Sequence, residues 1–347
     1  VHDLPVLVAR DKGYFKDEGL DIEFVTTPGM ASVTTSHSVK FDSVFDRPLD
    51  SVYNDGGIDQ YRMCEWGIMK RAVEAESSGL RRRKIVALGA SMSRFAIAVA
   101  PDSKIYEPEM LKDKEIAVTP NNGSHFTTLK MMEGFLKQEH VRTTAAGSMP
   151  KRIEALKQGK VAAVSLMEPW ISVAQKMGLR LLIESHSTRS EAASDELDGK
   201  TLAAMFRAQA RAVKDLEKDP TPYIHYFIEE TGGLLETRDF QSWRLLHAAP
   251  QPYTRGRWVG TYNWSVKWNM TVPGATSVKP ASRTTPARTL RSPSRFHASA
   301  FDASRSANPP DAHAHTRSRS SSISPSWAAC PTCAHALPVV IANPGAT

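Results

Sequence analysis

The pattern of apolar positions predicts a helix at the start of the chain. Between residues 4 and 12 the aliphatic side chains recur at the spacing of one helix face, as in an amphipathic helix. Gly13 ends this helix, because glycine readily adopts the backbone conformation that follows a helix C-terminus. The stretch LDIEFV at 20–25 then alternates apolar and polar positions, which predicts a strand. The chain therefore opens on helix and strand, with no strand before them.

The same patterns predict alternating strands and helices along the rest of the chain. Residues 27–58 are polar and rich in Gly, Ser and Asp, which predicts a long loop. Strands are predicted over 84–88, 95–100, 115–119, 161–166 and 179–184. Helices are predicted over 60–76, 124–138, 150–158, 201–217, 222–230, 238–248 and 256–269, with one more ending at 177. Helices between strands imply parallel sheets covered on both faces.

This alternation predicts two sheets, and therefore two lobes. Residues 1–97 and 200–276 form the first predicted lobe, and residues 98–199 form the second. Two lobes that one chain crosses twice are separated by a cleft and joined at a hinge, which is a common arrangement for binding a small ligand.

Charge is concentrated at the C-terminal end of the chain. The 347 residues carry a formal charge of +7, of which +6 belongs to residues 277–347. The remaining residues are close to neutral, which removes the main support for nucleic-acid binding by the body. Arg81, Arg82 and Arg83 are interpreted as a solvated turn, with a phosphate-binding patch as the alternative. No stretch reaches the roughly 18 apolar residues of a membrane-spanning helix.

Residues 277–347 differ in composition from everything before them. Of these 71 residues, 36 are Ala, Ser or Pro, and such a segment cannot bury enough apolar surface to fold, so disorder is expected. An arginine-rich nucleic-acid arm and a metal site at 311–315 (DAHAH) are possible functions. A wrong reading frame of a GC-rich gene is the preferred explanation. The single CxxC formed by Cys330 and Cys333 is weak evidence for zinc or redox chemistry. No metal or cofactor is predicted.

The sharpest candidate binding element is the stretch from Asn122 to His125, between a predicted strand and a predicted helix. Gly123 allows a ligand close to the backbone, and Ser124 is suited to cap the helix. Free N–H groups at a helix start attract carboxylate, sulfonate or phosphate groups. The alternative is an ordinary capped helix, which occurs throughout α/β proteins.

Other candidate ligand-binding residues follow predicted strands or open helices. Glu168 and Trp170 come after the strand VAAVSL, where open α/β sheets bind ligands; Trp170 packed on the sheet and a solvated Glu168 are the alternative. Cys64 and Glu65 lie in the predicted helix 60–76, and a buried inert thiol is favoured for Cys64. Asp3 precedes the first helix. No nucleotide-binding, hydrolase or metalloprotease motif occurs in the body, which favours binding over catalysis, and no catalytic residue is assigned.

Three stretches resemble the nitrate/sulfonate/taurine solute-binding proteins of ABC importers, a family that includes the pyrimidine-precursor synthases of thiamine biosynthesis. They are LPVLVARDKGYFKDEGLDIEFV (4–25), LKDKEIAVTPNNGSHFTTLKMMEGF (111–135) and RIEALKQGKVAAVSLMEPW (152–170). The resemblance implies an α/β, two-lobed type II periplasmic-binding-protein-like fold. That family opens on a strand before the first helix, so the first strand is expected to be missing here.

The resemblance implies the substrate-binding component of an ABC importer. Its expected partners are a small anionic or aromatic organic solute and an ABC permease, without nucleic acid or stable membrane insertion. Such a protein works in the periplasm or at the cell surface, although the sequence begins without a signal-peptide pattern. The alternative is a cytoplasmic enzyme on the same fold, either a decarboxylase or a thiamine-precursor enzyme.

Overall fold

The structure, a computed structural model, describes residues 4–24, 48–274 and 341–342. Within these residues the α-helices are α1 (Leu4–Asp11), α2 (Tyr14–Asp17), α3 (Pro48–Asn54), α4 (Glu65–Ser78), α5 (Gly123–Met132), α6 (Met149–Lys157), α7 (Trp170–Lys176), α8 (Gly199–Lys218), α9 (His225–Glu230) and α10 (Arg255–Lys267). The strands are β1 (Glu23–Phe24), β2 (Gln60–Cys64), β3 (Lys84–Val99), β4 (Glu115–Val118), β5 (Arg142–Ala145), β6 (Ala163–Met167), β7 (Arg180–Ala193), β8 (Leu246–His247), β9 (Gln251–Pro252) and β10 (Ile341–Ala342).

All ten described strands belong to one mixed sheet. Its order is β1-β10-β2-β7-β3-β6-β4-β5, and β8 and β9 pair with β3. Only β4 pairs in parallel, with β5 and with β6, whereas the other pairs are antiparallel. The expectation of two separate parallel sheets is therefore wrong. Long β3 and β7 pair along nearly their whole length and join the two ends of the sheet.

Strand β3 replaces two strands predicted over 84–88 and 95–100. It continues through the polar stretch SMSR, which broke the apolar pattern in the sequence. The pairing with β7 shifts register between Leu88 and Met92, where β3 advances four positions and β7 only two. Extra residues of this kind, as in a β-bulge, bend a strand and redirect its side chains. The polar residues in this part of β3 turn out to face a cavity and an ion-pair network.

The segment 60–76 begins as a strand, not as the predicted helix. Gln60 and Arg62 are buried, although a polar residue at such positions usually indicates a solvent face. Glu191 lies directly opposite Arg62 on β7 and accepts hydrogen bonds from both side chains, at 2.9 Å from Gln60 Nε2 and 2.7 Å from Arg62 Nε. A partner distant in sequence therefore allows these polar residues to lie inside the sheet.

Two further elements differ from their predictions. The segment 238–248 was expected to be a helix, but it forms short 3₁₀ turns followed by β8. The strand predicted over 20–25 is only two residues long, and its partner is β10, from the C-terminal tail. Helix α3 lies within the segment 27–58 that was predicted to be a loop, and α2 was not predicted; the other described helices follow the predicted order. Asp3, the segment 25–47 and the other tail residues, including the CxxC and DAHAH motifs, lie outside the described residues.

The largest apolar cluster joins helices to one side of the sheet. It combines residues of α1 and α8, such as Leu7 and Ala208, with residues of β6 and α7, such as Val164 and Ile171. These residues come from both of the segments assigned to different lobes. The division into lobes at 97/98 and 199/200 stays a prediction. No described helix is both long and apolar enough to span a membrane.

A buried charge network holds α3, α4 and the start of β3 together. The Asp50 carboxylate receives two hydrogen bonds from Arg71, at 2.8 and 3.0 Å, and one from Arg83 at 3.1 Å. All three side chains are buried, and Arg83 also lies over the ring of Tyr53. Arg83 is therefore a structural residue inside the protein, not part of a solvated turn.

Candidate functional site

A small polar cavity lies where β3 bends. It is bordered by residues of β3, by the C-terminal end of β6 and by the segment that contains β8; the lining residues are Leu4, Ser91, Met92, Ser93, Arg94, Glu168, Phe227, Leu245 and His247. Its volume is about 20 Å³, which is enough for about one water molecule. The cavity thus brings together residues separated by more than 240 positions in the chain.

The cavity contains hydroxyl groups without partners. Ser91 and Ser93 are only 5% and 6% exposed. Within the described part of the chain, neither Oγ atom has a hydrogen-bond partner. Burying a polar group without a hydrogen bond costs about 1–3 kcal/mol, so a native protein rarely keeps such groups without a purpose. Two of them lining one cavity indicate that something else completes their hydrogen bonds.

His247 adds an imidazole to the same cavity. It lies on β8 directly opposite Ser91 of β3, at the distance where facing side chains of paired strands meet. Both of its ring nitrogens are shielded from solvent and have no hydrogen-bond partner among the described residues. Burial lowers the pKa of His247 to about 4, because the charged form loses its hydration. The imidazole is therefore neutral at neutral pH.

The charged groups beside the cavity are already paired. Arg94 Nη1 donates to Glu168 Oε1 at 2.5 Å, and its Nε and Nη2 donate to Glu184 at 2.9 and 2.7 Å. The second Glu168 oxygen accepts from the backbone N–H and the hydroxyl of Ser172. Arg94 is thus neutralised by two carboxylates, and the groups left to contact a ligand are mostly neutral hydroxyl and imidazole groups.

The other described residues that line the cavity are apolar. Leu4 of α1, Phe227 of α9 and Leu245 line it beside the polar groups. Ligand sites of this kind combine apolar walls with a few well-placed polar groups, which orient the ligand. The arrangement suits a small molecule with one polar end and an apolar remainder.

The predicted binding stretch at the start of α5 lies elsewhere. Helix α5 begins at Gly123, and its N-cap is Asn122, whose side chain makes no capping bond. Ser124 is not the N-cap that was expected; its Oγ accepts from the backbone N–H of Thr119 at 3.0 Å. A Cβ atom at Gly123 would come within 3.5 Å of Cys64 Cβ, so this end of α5 packs closely against β2.

Both ring nitrogens of His125 contact polar groups of nearby residues. The backbone N–H of Asn121 donates to its Nδ1 at 3.3 Å, and its Nε2 lies 3.3 Å from the hydroxyl of Thr143. Burial lowers its pKa to about 4. The role of the stretch 122–125 in ligand binding stays a prediction.

Cys64 and Glu65 stand at the junction of β2 and α4, next to the start of α5. Cys64 is buried. Glu65 is also buried and accepts hydrogen bonds from Tyr253, from Arg257 and from Thr261, at 2.6 to 2.8 Å. These contacts attach α10 and the residues before it to α4, which indicates a structural contribution from Glu65.

Replacement of Glu65 by glutamine is expected to lower the free energy of unfolding by about 2 kcal/mol, because hydrogen bonds to a charged group are lost. Urea unfolding measures this change. Glu74→Gln is the control, since Glu74 forms a partly exposed ion pair with Lys70 on the same helix, and such pairs contribute at most about 1 kcal/mol. Equal effects of the two variants would contradict the structural role of Glu65.

Among the described residues that line the cavity, Glu168 is the only predicted binding residue. Trp170 opens α7 and belongs to the largest apolar cluster, with 8% of its surface exposed. Asp3 immediately precedes the lining residue Leu4 but lies outside the described residues. Ligand contacts by Trp170 and Asp3 stay predictions.

The sequence analysis missed Ser91, Ser93, Arg94 and His247. The signal for the first three was the short polar interruption SMSR between two apolar runs, which was interpreted as a boundary between strands. Small polar residues at alternate positions of a continuous strand point to one face, and here that face borders the cavity. His247 carried no usable signal, because it falls in a segment predicted to be helical.

Comparison with known proteins bears first on the N-terminal region. The family model described as NMT1/THI5 like matches residues 2–40. This range overlaps α1 and the first stretch on which the sequence resemblance rests. A comparison with curated protein sequences gives no match.

Solved structures extend the comparison to most of the chain. The alkanesulfonate-binding protein SsuA from Xanthomonas axonopodis pv. citri, bound to MOPS, matches with a TM-score of 0.58 and 16% identity over 79% of this chain and 92% of its own. A gene product of Candida albicans, described as having the generic periplasmic binding protein fold, matches with a TM-score of 0.51 and 13% identity over 72% and 79% of the two chains. The chain has the periplasmic-binding-protein fold.

A third structure agrees with this assignment. The periplasmic aliphatic sulphonate binding protein SsuA from Escherichia coli has a TM-score of 0.53 and 17% identity, covering 75% of this chain and 87% of its own. The predicted α/β periplasmic-binding-protein fold is confirmed. So is the resemblance to the nitrate/sulfonate/taurine binding proteins, since both the family model and these neighbours agree with it. At such low identity, the structural likeness establishes the periplasmic-binding-protein fold alone.

Proposed function

We propose that this chain is a solute-binding protein that captures a small organic solute at the cavity lined by Ser91, Ser93 and His247. The observation that carries the proposal is the set of buried polar atoms in that cavity without partners among the described residues. A bound solute would supply the missing hydrogen bonds. Glu168, a predicted binding residue that lines the cavity, would complete the polar wall through its ion pair with Arg94.

The solute is proposed to be anionic or aromatic, and the chain to serve an ABC importer in the periplasm or at the cell surface. Support for this part comes from the fold and from the two SsuA neighbours, which are named as sulfonate-binding proteins. The importer and its permease partner are proposed from the sequence resemblance to the solute-binding proteins of ABC importers, since the names of the two neighbours mention sulfonate binding but no importer. Those names are statements about the neighbours, and they reach this chain only as a proposal.

An organic solute is larger than the cavity, so binding requires the walls to move apart. Ligand pockets for small organic molecules usually measure about 300–1,000 Å³, far more than the 20 Å³ of this cavity. The register shift in the pairing of β3 with β7 lies next to the residues that line the cavity. A bend in a strand that links two parts of a sheet can serve as a hinge. We propose that opening at this bend admits the solute and that binding favours the closed form.

Thermal unfolding tests solute binding directly. Alkanesulfonates, benzenesulfonate, benzoate and pyrimidines, each added in excess, are compared for their effect on the melting temperature. A ligand present at 100 times its Kd is expected to stabilise the native protein by about 2.7 kcal/mol. No rise with any of these compounds would contradict the proposed function.

Removal of the two cavity hydroxyls tests the location of the site. The double substitution Ser91→Ala with Ser93→Ala is expected to weaken binding of the best compound at least about tenfold, because about 1 kcal/mol is lost per hydrogen bond. Ser190→Ala is the matched control, since Ser190 is also a buried strand serine without a described partner but does not line the cavity. Calorimetric titration measures both. Equal affinity of the double variant and the wild type would place binding elsewhere.

A further inference from the structure

His247 is the group in the cavity whose charge can respond to a ligand. A neutral imidazole donates from one nitrogen and accepts at the other, whereas an imidazolium donates from both. Neither nitrogen has a partner in the described part of the chain, and neither reaches solvent. Ser91 stands directly across the strand pair from it. A ligand in the cavity would therefore meet an imidazole whose hydrogen-bonding capacity is still unused.

The cations nearest to the cavity are engaged with carboxylates. Arg94 faces it from β3 and pairs with Glu168, beyond the end of β6, and with Glu184 on β7. Arg244, three residues before His247, donates from Nη1 to Glu184 at 3.3 Å. The two guanidinium groups thus balance the two carboxylates, and the set has no net charge.

The other elements that pack around His247 carry further ionisable groups, among them Glu230 of α9, whose pKa is raised by burial. His186 of β7 also has a lowered pKa, caused by burial and then by Arg94. Helices α1 and α9 contribute Leu4 and Phe227 to the cavity. Helix α8 packs against β8, and its arginines Arg207 and Arg211 pair with Glu18 and Asp17 on the outer side.

Burying an anion beside such a neutral set carries a large desolvation cost unless a positive charge compensates it. We infer that binding of an anionic solute draws one proton onto His247, so that the oxyanion and the imidazolium enter the closed cavity together as a neutral pair. This inference rests on the proposed function and adds proton uptake to it. The hydroxyl groups of Ser91 and Ser93 then donate to the remaining oxygen atoms of the anion.

The direction of the pH dependence follows from linkage. Without ligand, His247 has a pKa of about 4, and a bound anion raises that pKa because it stabilises the imidazolium. The bound state therefore holds more protons than the free state between the two pKa values, and affinity increases as the pH falls. For one proton the change in Kd is about tenfold per pH unit within that window. Affinity becomes constant near pH 4 and again above the pKa of the bound state.

The test uses butanesulfonate and benzenesulfonate as probes, because their sulfonate groups stay ionised throughout the measured pH range. Calorimetric titrations of the full chain between about pH 5 and about pH 8 give Kd. Parallel titrations in buffers of different ionisation enthalpy give the number of protons taken up. We expect uptake of up to one proton and an affinity that rises toward low pH. Proton uptake is measured on the wild-type protein, so this part of the test does not depend on whether a variant folds.

His247→Gln identifies the group that takes up the proton. Glutamine keeps a donor and an acceptor but cannot ionise in this range, so its Kd is expected to be independent of pH. His225→Gln is the matched control, because His225 is exposed on α9 and its Nδ1 lies 2.9 Å from the carbonyl of Pro222. This control is expected to keep the wild-type pH dependence.

The outcomes separate the two proposals. Sulfonate binding without proton uptake, or uptake that persists in His247→Gln, would overturn the role of His247 and leave solute binding intact. Binding of a neutral pyrimidine alone, with no pH dependence, would do the same. Absence of binding by any compound at every pH would overturn both.

Discussion

Replacing Asp50 by asparagine is expected to lower the free energy of unfolding by about 3–5 kcal/mol, because it breaks a buried ion pair. Asp50 is fully buried and accepts from two equally buried guanidinium groups, those of Arg71 and Arg83. An asparagine side chain carries no charge, so both buried guanidinium groups would lose the negative charge of Asp50. Urea unfolding monitored by circular dichroism measures the loss.

The surface substitution Glu236→Gln is the control for this experiment. Glu236 also forms an ion pair with an arginine, but both partners are largely exposed, and such pairs contribute at most about 1 kcal/mol. If Asp50→Asn cost no more than this control, the buried network would not hold α3, α4 and β3 together. A variant that stays insoluble under conditions where the control folds would agree with the expected loss.

Replacing Trp170 by alanine is expected to cost about 3–5 kcal/mol, as removal of a large buried aromatic side chain usually does. Trp170 packs in the largest apolar cluster with only 8% of its surface exposed. Trp243→Ala is the matched control, since Trp243 is 73% exposed. Chemical denaturation of both variants gives the comparison, and the control is expected to remain within about 0.5 kcal/mol of the wild type.

The Trp170 experiment also tests the prediction that this residue contacts the ligand. A wall of the binding site would affect Kd more than stability, whereas a core residue affects stability first. Trp170→Phe retains most of the buried surface and is expected to recover much of the lost stability. Weak solute binding by Trp170→Phe with normal stability would support the ligand contact. Normal binding would assign Trp170 to the core.

The sequence predicted elements well where one side of the element faces solvent and the other faces the core. Helix α8 has this regular pattern and was found within two residues of its ends. The strand–helix order from β4 to α7 was recognised for the same reason except for β5, which was not predicted. Local periodicity suffices in such cases because each element has a solvent side and a core side.

Prediction from the sequence failed where a partner distant in the sequence allows a polar residue to be buried. Gln60 and Arg62 can be buried inside β2 because Glu191, which lies opposite Arg62 on β7, accepts hydrogen bonds from both side chains. The polar stretch SMSR continues one strand because it faces a cavity and the charge pairs of Arg94. In each case a polar side chain was taken for a solvated boundary, since its partner could not be read from neighbouring residues.

For the candidate site, too, some features could be predicted from the sequence and others could not. The sequence by itself determined the α/β periplasmic-binding-protein fold, the near-neutral body of the chain and the position of Glu168 beyond a buried strand. Only the tertiary structure decided that Glu168 pairs with Arg94, and that Ser91, Ser93 and His247 share one cavity. The physical reason is that the spacing of apolar residues along a helix or strand reflects which of its faces is buried. A binding cavity, in contrast, is formed where segments distant in the sequence meet and leave polar atoms without partners.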